Sequence, residues 1–364
     1  MDIITKIIAI TFKAFIGKYV IRMEKDMKTG KVSEVILKRS VLKLLKYRGT
    51  KQKNTPVINL DAGRLEFDES TDLLFATASM QGNQFGLIES VFHRAINNIY
   101  AKGGEPIALS VALTLRSYAD EQELKVYSKE LNRLSILYSI PVLSGETMVG
   151  ADATQNTLTI HATGKISRQS NTVDSKESIK DSIKDSKKDY QIVMTKYIGL
   201  SATKLLIEAK EEKLKERLTE SFLAGGKRIG ELLSIQKEMK VSKDFDIICS
   251  HDVSEGGIFA GLWEIGDSLQ CGMEISLDSI LLRQETIEVC EALDLNPYLL
   301  YSGGCTLFVT KQGDALVEAL EEKEIPASVI GKTTDTSDRI VRKEDEIRYL
   351  EPFKGDEIYK GLSE

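Results

Sequence analysis

The segment His251-Asp252-Val253-Ser254-Glu255-Gly256-Gly257 carries more chemical information than any other seven residues of this chain. Before it stands Asp246-Ile247-Ile248-Cys249, a short apolar run of strand character, and after it residues 258–265 place apolar side chains at helical spacing. The order is therefore strand, tight turn, helix. In open α/β sheets ligands gather at the carboxyl ends of strands, where the free N–H groups of the next helix face an anion. Two glycines admit a phosphate close to the backbone. Asp252 and Glu255 would repel a bare phosphate, a conflict that a magnesium ion between carboxylate and phosphate resolves. Asp252, Ser254, Glu255, Gly256 and Gly257 are thus candidate ligand-binding residues. The competing explanation is local: Asp252 or Ser254 caps the helix and Glu255 complements its positive end.

With 364 residues, 42% of them hydrophobic and 29% charged, the chain has the make-up of a two-domain globular protein. A net charge of −6 argues against a nucleic-acid surface. Cys249, Cys271, Cys290 and Cys305 are widely spaced, and the only histidines are His93, His161 and His251. Neither a zinc site nor a disulfide framework is expected, and reduced thiols suit a cytoplasmic setting.

Residues 1–26 are apolar but interrupted by Lys6, Lys13 and Lys18 before they could span a bilayer. They read as an extension upstream of a domain beginning near Met27, with an interfacial membrane anchor as the alternative. Residues 27–166 make a first domain. A helix is expected over 33–47, strands over 57–61 and 73–77, a loop at 80–83, and a strong helix ending before Gly103-Gly104. Near the end of that helix, Asn97 and Asn98 are either solvated amides or a ligand-facing edge. A strand over 107–115, a helix capped by Asp120, a strand entering Ser144-Gly145-Glu146-Thr147 and an alternating strand over 157–166 complete this half. Residues 167–189, with near-repeats of Asp-Ser-Lys and few aliphatics, read as a linker or insertion. The second domain, 190–352, shows strands at 191–195, 272–276, 305–309 and 327–333 besides the opening motif. Its helices are expected up to Lys210 and over 222–239, 284–293 and 314–323. The order suggests a sheet with helices on one face, followed by a tail at 353–364.

These residues resemble the superfamily of aminoimidazole ribonucleotide synthetase, thiamine-monophosphate kinase, selenophosphate synthetase and the hydrogenase maturation factor, the last being most similar. The resemblance rests on Asp252-Val253-Ser254-Glu255-Gly256-Gly257, on Val193-Met194-Thr195-Lys196-Tyr197-Ile198-Gly199-Leu200, on Asn97-Asn98 before Gly103-Gly104-Glu105-Pro106, and on Ser144-Gly145-Glu146-Thr147 where the family has a Gly-Asp-Thr turn. It covers roughly residues 27–350. It implies an α/β (α+β), two-domain PurM-like architecture, with an N-terminal domain whose sheet forms a dimer β-barrel and a C-terminal α/β sandwich domain. It further implies a homodimer with ATP in the cleft, Mg2+ on N-terminal carboxylates, and transfer of the γ-phosphate to an oxygen of a small substrate.

Carried over position by position, the resemblance makes Asp61, Asn98, Glu146 and Thr147 cofactor-binding residues beside the second-domain motif, with Asp61 and Glu146 as metal ligands. The departures are specific. Of the acidic pair before the first loop only Asp61 is present, Ala78 replaces one aspartate, Asn98 another, and Glu146 a third. The maturation factor's Pro-Arg-x-Cys ending is absent, since the chain ends Lys360-Gly361-Leu362-Ser363-Glu364. If the protein is catalytic, Asp61, Glu146, Asp252 and Glu255 should converge on one cleft. If it is a non-catalytic paralogue, the same fold would serve as a dimeric scaffold for a nucleotide or a partner protein.

Overall fold

The computed structural model describes residues 63–168 and 188–363. The extension, the helix expected at 33–47, the strand at 57–61 with Asp61, and most of 167–189 lie outside the described residues.

The first domain runs β1 (Gly63–Glu66), β2 (Thr71–Gly82), α1 (Leu87–Tyr100), β3 (Glu105–Leu115), α2 (Glu121–Tyr138), β4 (Val142–Val149) and β5 (Asn156–Ser167). Its sheet has the order β1-β2-β5-β3-β4 and is antiparallel except for the parallel pair β3 and β4. Residues 80–82, expected in a loop, belong to β2, because its pairing with β5 is unbroken from Thr71 to Gly82. The alternation of Leu74, Ala76, Ala78 and Met80 into the core continues to the strand's end. Against that face lies α1, whose Leu87, Ile88, Phe92, Ala95, Ile96 and Ile99 are fully buried. The Asp120 carboxylate accepts the Glu123 N–H at 2.8 Å and starts α2 as the sequence indicates. The other side is open: Phe75 is exposed, and β4 is exposed along its whole length.

The second domain comprises β6 (Gln191–Thr195), α3 (Leu200–Ala209), α4 (Glu211–Lys215), α5 (Glu220–Lys227), α6 (Gln236–Val241), β7 (Ile247–Val253), α7 (Gly257–Leu269), β8 (Gly272–Ser276), α8 (Gln284–Leu293), β9 (Cys305–Thr310), α9 (Gly313–Glu321), β10 (Ala327–Thr334), β11 (Arg339–Lys343), β12 (Glu346–Tyr349) and α10 (Glu357–Ser363). Its sheet order is β12-β11-β8-β10-β6-β9-β7. Helices cover both faces of the central strands, not one. Ile192, Met194, Leu307 and Val309 pack with Ile258 and Leu262 of α7, whereas Val193 and Phe308 join the core containing α3, α9 and the first domain. A strand buried on both faces loses the alternation that would have revealed it.

The single helix expected over 222–239 is broken into α5, a 3-10 turn at Arg228–Leu232 and α6. The break has a polar cause. The buried Lys196 ammonium takes the Leu232 and Ser234 carbonyls, both at 2.7 Å. The Asn97 side chain takes the Leu233 carbonyl and the Ile235 N–H. Backbone groups claimed by side chains from elsewhere cannot also close helical turns.

Candidate functional site

The seven-residue motif lies where the two domains meet. β7 continues through Val253, so His251 and Asp252 are strand residues, and Asp252 pairs across the sheet with Thr306. The chain then turns through Gly256 at φ +88° and Gly257 at φ +67°, a left-handed region that favours glycine. A Cβ on Gly257 would lie 2.5 Å from the Tyr298 carbonyl oxygen, and one on Gly256 would enter the Phe353 ring. Neither Asp252 nor Ser254 caps α7 with its side chain, contrary to the local explanation of the motif. Ser254 contributes its carbonyl, which accepts the N–H groups of Gly257 and Ser302.

From the first domain, α1 supplies Arg94 and Asn97, one turn apart on one face. The Asn97 amide is fully buried; it donates to the Leu233 carbonyl at 2.8 Å and lies 3.4 Å from Asp252 Oδ1. Arg94 stands 3.5 Å from Glu255 Oε2 and over the Tyr301 ring. Burial opposes its charge, but Tyr301, Glu255 and Asp252 outweigh that and raise its pKa. Asn98, one residue on and so rotated about 100° around the helix, is half-buried. Further pairs tie the seam: Lys204 meets Glu89 at 2.7 Å, and the Ser250 hydroxyl donates to the Ala101 carbonyl at 2.6 Å.

The C-terminal residues close the site. Asp356 is buried; its carboxylate accepts the N–H groups of Gly256 at 2.5 Å, Tyr301 at 3.1 Å and Ile358 at 2.8 Å. Burial pushes this carboxyl up to about 7, with the N–H donors pulling down and Glu255 adding to the rise. The Tyr359 hydroxyl donates to Glu255 Oε1 at 2.8 Å. Burial first, and Glu255 next, raise the Tyr359 phenol strongly.

Of the residues singled out by sequence, Asp252, Ser254, Glu255, Gly256 and Gly257 are brought together. Glu146 and Thr147 are not gathered with them within one chain: they sit on the exposed edge strand β4, opposite Ala112 and Leu113 of β3. Ala78 is part of the first-domain core, a position where a carboxylate would itself be buried. Among the described residues no group of three or more His, Cys, Asp or Glu side chains is placed to hold a metal ion. Arg94, Asp356 and Tyr359 were missed. Arg94 had a signal, a lone cation between Phe92 and Ala95 in an apolar helix; the other two lay in a segment read as a tail.

Comparison with known proteins agrees with this architecture. Residues 58–166 match the family "AIR synthase related protein, N-terminal domain", and residues 190–343 match "AIR synthase related protein, C-terminal domain". The chain belongs to the AIR synthase related family. It is similar to a provisionally assigned hydrogenase expression/formation protein of Methanocaldococcus jannaschii, 21% identical over 66% of this chain and 68% of that one. It is also similar to the phosphoribosylformylglycinamidine synthase subunit PurL of Methanococcus aeolicus, 22% identical over 92% of this chain but only 47% of the relative. Among solved structures, Escherichia coli HypE superposes with a TM-score of 0.65 at 16% identity, over 79% of this chain and 88% of that one. ThiL, the thiamine monophosphate kinase of Aquifex aeolicus, complexed with AMPPCP and TMP, does so at 0.64 and 16% identity, over 88% and 98%. These likenesses establish the two-domain PurM-like fold expected from the sequence.

Proposed function

We propose that this protein binds ATP at the seam between its domains and uses the γ-phosphate to activate a small oxygen-bearing substrate. The observation that carries this reading is the Gly256-Gly257 turn. It opens α7 with backbone N–H groups and faces Arg94 of the other domain across Glu255. Such N–H groups take phosphate oxygens, and a guanidinium offsets the charge that accumulates during phosphoryl transfer. The substrate oxygen would attack the γ-phosphorus, ADP would leave with the bridging oxygen, and the phosphorylated oxygen would become a leaving group. The AMPPCP bound to ThiL supports nucleotide binding within this fold.

Magnesium on a nucleotide normally takes one or two protein carboxylates and completes its octahedron with phosphate oxygens and water. Asp61 and Glu146 are the candidates by resemblance. Glu146 alone on its exposed strand does not make a metal site, so the described residues do not fit the ion within one chain. A homodimer is part of the proposal, because the open sheet face and β4 present Phe75, Leu143, Met148 and Val149 to solvent. A cytoplasmic setting suits four free cysteines.

A second reading, a non-catalytic dimeric scaffold binding a nucleotide or a partner protein, is favoured by one observation: Ala78, which by resemblance stands in the place of an aspartate, offers no ligand. Calorimetric titration of the full chain with ATP, with and without magnesium, tests the nucleotide site, and release of ADP separates an enzyme from a nucleotide-binding scaffold. Magnesium-dependent binding supports the enzyme and justifies a search for the acceptor. Absence of binding up to millimolar nucleotide, by the full chain and equally by a form lacking the Asp356 carboxylate, would sink it and leave a protein-binding scaffold.

A further inference from the structure

One N–H at the head of α7, that of Gly256, is already taken by a carboxyl group, and it is the protein's own. Asp356 Oδ2 accepts the Gly256 N–H and its Oδ1 the Tyr301 N–H, the two donors that belong to the site and not to the C-terminal segment. Asp356 also accepts the Ile358 N–H and so starts its own helix. Two neighbours fix the segment in place. The Phe353 ring lies where a Cβ on Gly256 would be, 2.4 Å from that point, and the Tyr359 hydroxyl donates to Glu255. The fully buried Ile358 anchors α10 in the core beside Leu206 and Leu295. A helix end needs one partner set for its free N–H groups, and a carboxylate and a phosphate oxygen are interchangeable in that role.

We propose that residues 351–363 form an autoinhibitory strap in which the Asp356 carboxylate occupies the phosphate position at the N-terminus of α7, so that an anionic ligand binds only when the strap lifts. This deepens the nucleotide-binding reading and rests on it for the identity of the ligand. Phe353 and Tyr359 hold the strap down at its flanks, and neither contributes an N–H to the site. Loosening them frees Gly256 and Tyr301 without disturbing the donors.

The test compares the full chain with Asp356→Ala and with the double variant Phe353→Ala/Tyr359→Phe, which keeps Asp356 and the Ile358 anchor. Each is titrated calorimetrically with magnesium–ATP and with pyrophosphate, while hydrogen exchange at residues 351–363 reports strap release; circular dichroism establishes that each variant is folded. The expected result is at least tenfold tighter binding of ATP and pyrophosphate by both variants, and faster exchange of the strap in the wild type when ligand is added. Equal ATP affinity in folded wild type and variants, with the strap still protected, overturns the strap but leaves nucleotide binding standing. Pyrophosphate binding to the variants alone, with no ATP binding by any form, supports the strap and overturns the ATP reading. No binding of either anion by any folded variant overturns both.

Discussion

The side-chain amide of Asn97, on the central helix of the first domain, lies 3.4 Å from the Asp252 carboxylate at the end of a second-domain strand. The same amide takes the Leu233 carbonyl and the Ile235 N–H, at 2.8 and 3.2 Å. One buried side chain thus ties the two domains together and, with Lys196, breaks the helix expected over 222–239. Asn97→Ala would leave a buried carbonyl and N–H without partners, a cost of about 2–4 kcal/mol. Urea denaturation should show the midpoint falling accordingly. A change below about 0.5 kcal/mol, the scale of an ordinary surface substitution, would mean that Asn97 is not the rivet.

The two glycines of the turn offer a sharper comparison. At Gly257 an alanine would combine φ +67° with a Cβ 2.5 Å from the Tyr298 carbonyl oxygen, so Gly257→Ala should cost about 2 kcal/mol or more. Gly225, inside α5, has only Glu285 Oε1 at 3.9 Å from its would-be Cβ, and Gly225→Ala should stabilise by up to about 1 kcal/mol. Thermal unfolding of the two variants should move in opposite directions. If Gly257→Ala melts with the wild type, the turn is not strained.

The sequence was most legible where a pattern belongs to one element. The stripe on α1 and the Asp120 cap needed no tertiary information, and the strands at 191–195 and 272–276 appear as read. Legibility failed where partners come from afar. Lys196 and Asn97 dissolve a helix 36 to 138 residues away in sequence, and no local spacing announces that. At the site, the Asp252-to-Gly257 motif was visible because its glycines and carboxylates are adjacent. Asp356 and Tyr359 were not, because a short polar-apolar segment near a terminus has the composition of a tail until a buried turn is found for it to cover.

Asp356 makes stability depend on pH in a defined direction. Its carboxyl is raised from 3.8 to about 7, so between those values the folded state binds more protons than the unfolded chain. Its contribution is fully present below about pH 4 and is lost as pH rises through 7, by at most on the order of 4 kcal/mol. Glu255, Glu357, Tyr301, Tyr359 and, beyond Glu255, Arg94 are the ionisable groups around it. His93 acts oppositely: burial lowers it to about 4, so its contribution grows as pH rises toward 6.5. The informative quantity is therefore the difference between wild type and Asp356→Asn, measured by urea denaturation at pH 5 and pH 8. The wild type should lose more stability than the variant over that interval, and parallel losses would contradict the assignment.

The open face of the first sheet and its bare β4 edge bear on assembly. Leu143, Met148 and Val149 are 72%, 50% and 58% exposed on β4, and Phe75 is 45% exposed on β2. Among the described residues β4 pairs on one side only, with β3. An apolar edge strand left bare invites further pairing, and proteins that stay monomeric blunt such edges with charge, proline or a covering segment. Here the edge residues from Val142 to Val149 include one charge, Glu146. In a dimer built on the β4 edge, Leu143→Glu would bury a carboxylate without a partner and oppose association strongly. Sedimentation velocity at micromolar concentration should show a dimer for the wild type and a monomer for Leu143→Glu, with the monomer's circular dichroism unchanged because Leu143 contributes nothing to the core. A wild type that sediments as a monomer would remove the dimer from the proposed function. It would also leave Glu146, exposed and far from the Gly256-Gly257 turn in sequence and sheet position, without a route to the nucleotide.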